Sequence, residues 1–184
     1  MTAEQSLALI TDMIDQAKGK VQRNAFYFLL WGWVVLIANI GMFLLIKLQY
    51  PHPYIVWLIT IPAWGYTMYT AITRSKEKVT ATHLDRISSS LWISFGICVA
   101  TLVSFGFRIN FQINPVVLLF CSIPTFMSGV ILRFKPLMFG GVMFWLFAIV
   151  SFIFGNEYQF LSGAGAIAFG YLIPGYLLRR KESQ

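Results

Sequence analysis

The chain has 184 residues, of which 58% are apolar and only 11% are charged. Soluble domains carry roughly 25% charged residues, so this composition excludes an ordinary soluble domain and favours a polytopic membrane protein. Both cysteines, Cys98 and Cys121, lie in apolar runs, where thiols usually serve as packing residues rather than as a disulfide or a metal pair. What the net charge of +7 means depends on where the cations stand along the chain.

Residues 1–23 precede the first apolar run and have the pattern of an amphipathic helix. Thr2 and Gln5 have the spacing of a capping box, and apolar residues recur at intervals of three and four. These apolar positions are Leu7, Ile10, Ile14, Ala17 and Val21. Two interpretations are open. The helix lies on the membrane surface or against the inner end of the bundle, or it dimerises or docks a partner through a short heptad seam.

Residues 24–178 contain six apolar stretches that are long enough, at about 1.5 Å per residue, to cross a hydrocarbon layer of about 30 Å. The predicted spans are 25–46, 54–73, 89–107, 115–132, 137–154 and 159–178, followed by a tail at 179–184. The sequence therefore predicts an all-α membrane bundle of six transmembrane helices, arranged as three helical hairpins. Pro62 falls inside the second span and is expected to kink it.

The cations are distributed unevenly over this six-span arrangement. One side receives Lys18, Lys20, Arg23, Arg74, Lys76, Lys78, Arg86, Arg133, Lys135, Arg179, Arg180 and Lys181, and the other receives only Lys47 and Arg108. Such an excess marks the cytoplasmic side, so both termini are predicted to lie inside. A cationic inner face suits membrane lipids with anionic head groups, and no nucleic-acid partner is expected.

Polar residues recur on one face of several predicted spans. They are Asn39, Tyr66, Thr67, Thr70, Ser94, Cys98, Thr101, Ser122 and Thr125. One hypothesis is that they line a cavity for a neutral or lipid-like molecule, and the favoured alternative is a network that packs the helices together. Asn39 requires an interhelical partner in either case, because an unmet amide in hydrocarbon costs a few kcal/mol.

Two further sets of residues are candidates for contact with other molecules. The inner ends of the helices carry Asp85, Arg86, Arg133, Lys135, Arg179 and Arg180, which could dock a protein, bind lipid head groups or form only a solvated flank. The sixth span carries small residues at a spacing of four, Ser162, Ala166 and Gly170. This helix-packing ridge is a candidate contact for a homo-oligomer.

Catalytic chemistry has little support in the sequence. The predicted spans contain no Asp, Glu, Lys, Arg or His, so they offer no acid, base or ion-coupling group inside the membrane. The two histidines, His52 and His83, fall on opposite sides and cannot share a zinc ion within one protomer. We therefore expect no catalytic residue, no cofactor and no metal site.

In three passages the chain resembles a family of small, uncharacterised bacterial six-span integral membrane proteins. The passages are MIDQAKGKVQRNAFYFLLWGW (13–33), THLDRISSSLWISFGI (82–97) and ILRFKPLMFGG (131–141). The resemblance extends over most of the chain and implies a multi-pass protein of the bacterial cytoplasmic (inner) membrane. No activity, cofactor or catalytic residue is established for the family, so none is carried over.

The sequence thus favours a non-enzymatic assembly or regulatory protein that acts through its cytoplasmic face. A second copy of the chain and a cytoplasmic protein are its candidate partners, in addition to membrane lipids. The alternative is a carrier or binder of a small neutral or lipid-like molecule, held in an intramembrane cavity lined by the polar set.

Overall fold

The computed structural model describes the backbone of residues 3–75, 83–110, 112–154 and 157–182. Side chains are described for residues 25–73, 84, 86–110, 112–154 and 157–180. Over these ranges the chain forms helices and turns and contains no strand. The prediction of an all-α fold is confirmed.

The helices follow one another with short connections. Helix α1 is Ala3–Lys47, a 3-10 helix at Pro53–Ile59 leads into α2 at Thr60–Ser75, and α3 is His83–Ser104. A second 3-10 helix, Gly106–Ile109, precedes α4 at Ile113–Ile131, and α5 is Lys135–Phe154. The last span consists of α6 at Tyr158–Ile167, a π-helical segment at Ala168–Leu172 and α7 at Ile173–Glu182.

Among the described residues, six helical stretches are long and apolar enough to cross a membrane. They are Ala25–Lys47, Pro53–Thr73, Arg86–Ser104, Ile113–Ile131, Lys135–Phe154 and Tyr158–Arg180, and the predicted spans lie within three residues of these bounds. The chain is therefore a multi-pass membrane protein. Which side of the membrane each end faces stays a prediction.

Helix α1 continues without a break from Ala3 to Lys47. At about 1.5 Å per residue its length is roughly 67 Å, more than twice the thickness of a hydrocarbon core. Because Ala25–Lys47 is the apolar span, residues 3–24 extend that span as a stem. The predicted boundary at residue 23 is not marked by any interruption of the helix. Thr2 lies outside the described residues, and the amphipathic character of the stem stays a prediction.

The core of the bundle is formed by α1, α4, α5 and the last span, whereas α2 packs on α1 and α3 packs on α4. Leu137, Phe144, Ala148 and Ala166 are fully buried in this core. No residue in the most apolar window of α3 is buried. Helices α2 and α3 therefore flank the core and present most of their surface outward.

Glycines allow the closest approaches between core helices. A Cβ atom at Gly129 would lie 2.5 Å from the backbone nitrogen of Met138, and one at Gly140 would lie 2.5 Å from the carbonyl oxygen of Gly170. These separations are far shorter than the 3.4–4 Å of ordinary van der Waals contact. Side chains larger than hydrogen at these positions would force α4, α5 and the last span apart.

The predicted ridge of small residues lies inside the protomer. Ser162 and Ala166 are buried, and Gly170 is in contact with the Phe144 ring. The Ser162 hydroxyl donates a hydrogen bond to the Phe147 carbonyl oxygen at 2.8 Å. The ridge therefore packs α5 against the last span, and the expectation that it joins two copies of the chain is wrong.

Two of the prolines stand beside changes of helix type. Pro62 is the third residue of α2 and lies near the middle of the span Pro53–Thr73, two residues after the helix changes type, and the kink expected there stays a prediction. The change from 3-10 to α geometry occurs at Thr60, whose hydroxyl donates to the Trp57 carbonyl oxygen at 2.7 Å. The π-helical segment Ala168–Leu172 ends two residues before Pro174, which cannot donate an i→i−4 hydrogen bond.

Candidate functional site

The end of the bundle that is predicted to face the cytoplasm is the end where α4 turns into α5. Arg133 adopts the left-handed conformation there, with a φ of 49°. Its N–H donates to the Val130 carbonyl oxygen at 3.1 Å, and the Phe134 N–H donates to the Gly129 carbonyl oxygen at 2.9 Å. This pair of bonds is a Schellman motif, which closes α4 within three residues. The turn leaves the Arg133 and Lys135 side chains exposed.

Three further predicted cations share this end because α3 begins and the last span ends there. Arg86 is exposed at the start of the third span, and Arg179 and Arg180 are exposed near the end of α7. The side chain of Asp85 lies outside the described residues. The described part of this face is therefore cationic and open to solvent or to head groups.

The opposite end carries the other two cations and is partly neutralised. The Lys47 ammonium lies 2.8 Å from the Glu157 carboxylate and 5.4 Å from the centroid of the Tyr158 ring. This contact joins the end of α1 to the start of the last span. The hydrogen bond from Lys47 lowers the pKa of the Glu157 carboxyl below its usual value, so the pair persists at neutral pH.

Asn39 belongs to a buried amide cluster in the core. It is 1% exposed, and its Oδ1 accepts a hydrogen bond from Asn114 Nδ2 at 3.2 Å. The same Asn114 nitrogen donates to the Gln159 carbonyl oxygen at 2.5 Å. The cluster therefore links α1, α4 and α6. Asn39 has the interhelical partner that its place in an apolar span requires.

Thr67 and Thr70 join α2 to α1. The Trp31 indole N–H donates to the Thr67 hydroxyl oxygen at 3.2 Å, and the Tyr27 and Thr70 hydroxyl oxygens lie 2.7 Å apart. Each threonine also donates to a carbonyl oxygen of its own helix. These two members of the polar set are thus used in helix packing.

Thr125 and Ser122 are buried in α4 beside the last span. Thr125 lies 3.4 Å from the Tyr171 hydroxyl, and Cys121 Sγ lies 2.6 Å from the same hydroxyl. The Tyr171 ring packs edge-on against the Phe144 ring, with centroids 4.9 Å apart. This second polar cluster is enclosed by aromatic rings and is separate from the amide cluster.

The remaining members of the polar set face away from the core. Tyr66, Ser94 and Thr101 are exposed, and Cys98 is half-buried. The Thr101 hydroxyl donates to the Ile97 carbonyl oxygen of its own helix at 2.9 Å. The nine residues are therefore divided among two core clusters, one helix pair and the outer surfaces of α2 and α3. They do not enclose a common cavity in the described part of the chain.

Three residues that organise these clusters, Asn114, Gln159 and Tyr171, are not marked by any pattern in the sequence. Asn114 and Gln159 each lie beside a turn between two spans, where an amide side chain usually reaches water, and Gln159 joins the cluster through its main-chain carbonyl oxygen only. In the sequence, Tyr171 lies between a glycine-rich run and Pro174. It belongs to no regularly spaced series of polar residues. Within the residues described, no group of three His, Cys, Asp or Glu side chains could hold a metal ion.

Comparisons with protein-family models, with curated proteins and with solved structures find no match for this chain. The resemblance to a bacterial six-span family is therefore untested by them.

Proposed function

We propose that the protein is a non-enzymatic membrane protein of the bacterial cytoplasmic membrane that acts in assembly or regulation through its inner end. Both termini lie in the cytoplasm in this proposal, as the excess of cations at one end favours. The stem of α1 is the element that makes the contact. The observation that carries the proposal is the continuity of α1 from Ala3 to Lys47.

Continuity favours a projecting stem over a helix that lies on the membrane surface. A surface helix would have to turn sharply away from the axis of the first span near residue 24, and such a kink usually coincides with a proline or another break in the hydrogen-bond ladder. The stem contains no proline, and its helix is unbroken there. About 22 residues, or roughly 33 Å of helix, then extend beyond the span.

The sequence of the stem suggests what covers it. Leu7, Ile10, Ile14, Ala17 and Val21 occupy the a and d positions of three short heptads. An apolar stripe on a helix that projects into water needs a partner, and a second stem is the simplest complement. Three heptads are marginal in isolation, but the six-span bundle confines the copies to one plane and raises their effective concentration.

Replacing Ile14 by glutamate tests this proposal. A buried carboxylate in the seam is expected to convert an oligomer into single chains, because the charge would lose its hydration without a compensating partner. The mass of the full-length protein in lipid nanodiscs or mild detergent, measured by light scattering or mass photometry, reports the change.

Gln16→Glu is the matched control, since it introduces the same side chain and the same charge two residues away on the polar side of the stem. It is expected to leave the mass unchanged. A wild-type protein that is already a single chain in lipid, or an Ile14→Glu variant with the wild-type mass, would overturn the proposed role of the stem. The carrier alternative has no comparable observation in its favour, because its polar residues do not converge.

A further inference from the structure

A groove with a volume of about 450 Å³ opens on α3 near the inner end of the bundle. It is lined by Arg86, Ile87, Ser90, Leu91 and Ser94. Positions 86, 90 and 94 follow one another at a spacing of four, and 87 and 91 form the adjacent stripe, so the residues share one side of the helix. A cation at one end is thus followed by a partly apolar, open groove along one side of a transmembrane helix.

The positions of these residues along the helix axis match the levels of the head group and the acyl chains of a phospholipid. Arg86 is the first residue of the third span, Arg86–Ser104, and is therefore at the level of head groups. Leu91 lies about 7 Å and Ser94 about 12 Å further along the helix axis, which is the depth at which acyl chains begin. Charge and apolar surface follow one another in the order that a phospholipid presents them.

The Arg86 guanidinium is the group in the groove best suited to a phosphate. Ser90 already donates its hydroxyl proton to the Arg86 carbonyl oxygen at 2.9 Å, so it has no second proton to offer. A guanidinium presents several donors in a plane and binds phosphate oxygens in pairs. Glu157, the acidic residue whose side chain is described, lies at the opposite end of the bundle.

We propose that this groove binds one anionic phospholipid, with its phosphate on Arg86 and an acyl chain along Ile87 and Leu91. A zwitterionic lipid is less suited, because its ammonium group would meet an end of the bundle where the described charges, those of Arg133, Lys135 and Arg179 among them, are positive. The site is independent of the stem of α1 and of the proposed assembly.

Native mass spectrometry of the purified full-length protein tests the site, with dioleoylphosphatidylglycerol and dioleoylphosphatidylcholine titrated separately. Wild type is expected to retain one phosphatidylglycerol at concentrations where phosphatidylcholine is lost. Arg86→Gln should weaken phosphatidylglycerol binding about tenfold, the effect of losing one charge-assisted contact. Ser94→Phe fills the groove without a change of charge and should lower the retention of both lipids.

Arg179→Gln is the control for diffuse attraction, because it removes the same charge from the same end outside the groove. It is expected to leave the affinity nearly unchanged. An equal loss in Arg179→Gln and Arg86→Gln, equal retention of the two lipids by wild type, or no effect of Ser94→Phe would overturn the site. Displacement of the lipid by soluble glycerol phosphate would show a site for a free anion instead.

Discussion

Replacing Gly140 by alanine is expected to lower the free energy of unfolding by about 2–3 kcal/mol. The added methyl group would lie 2.5 Å from the Gly170 carbonyl oxygen, which is backbone and cannot rotate away. Helix α5 must then move outward from the last span, and the contact between the Phe144 ring and Gly170 is lost with it. Unfolding in mixed micelles, followed through the six tryptophans, measures the change.

Gly96→Ala is the matched control for this substitution. Gly96 also lies inside a helix, but apart from the adjoining backbone of that helix no heavy atom would lie within 4 Å of a Cβ at this position. Alanine should therefore be neutral or slightly stabilising at this position, because glycine is the poorer helix former. Equal losses in both variants would contradict the account of the Gly140–Gly170 contact.

The second large effect is expected from Asn114→Leu, which should destabilise the fold by about 2 kcal/mol. The substitution removes the donor to Asn39 Oδ1 and leaves that oxygen buried in an apolar span. Leucine has a similar size but must also fit beside Gly163, where a Cβ would already lie 2.6 Å from Asn114 Nδ2. The same unfolding measurement applies.

Gln112→Leu provides the comparison, because Gln112 is an exposed amide two residues before Asn114. Its replacement should leave the unfolding transition nearly unchanged. If Asn39→Leu together with Asn114→Leu restores stability, the loss in the single variant came from the unmet amide, since a fully apolar pair has no unsatisfied group. A single Asn114→Leu variant as stable as wild type would show that the amide cluster contributes little.

The number and limits of the spans could be predicted because they depend on composition alone. A run of about twenty apolar residues between charged segments is stable as a membrane span, so the apolar run that follows Arg23 in the sequence corresponds to the span Ala25–Lys47. The tight turn at Arg133 could be predicted for a similar reason, because only a few residues separate the two apolar runs that it connects.

The neighbours of each helix could not be predicted, because lipid and protein are equally apolar surroundings for a helix face. The stripes of polar residues on α3 and α4 look alike in sequence. In the structure, however, Thr101 of α3 is exposed and Thr125 of α4 is buried. A threonine that donates to its own i−4 carbonyl tolerates either place. The ridge of small residues that ends at Gly170 likewise indicated close packing without indicating that Gly170 meets Gly140 of the same chain.

The amide cluster and the stem show a second limit of sequence patterns. Asn39 indicated a need for a partner, but only the fold brings Asn114 within 3.2 Å across 75 positions of chain. The boundary predicted at residue 23 followed the change from mixed to apolar composition. Helical hydrogen bonds do not depend on that change, so α1 continues through it.

Cysteine labelling tests the orientation on which the proposed function depends. Arg108→Cys and Lys135→Cys place a thiol at exposed positions on opposite ends of the bundle, and the unsubstituted chain, whose two cysteines lie within the spans, is the blank. A membrane-impermeant maleimide is expected to label Arg108→Cys in intact bacteria and Lys135→Cys only after the cells are permeabilised. Labelling of Lys135→Cys in intact cells would place the cationic end outside and contradict the proposed role of the inner face.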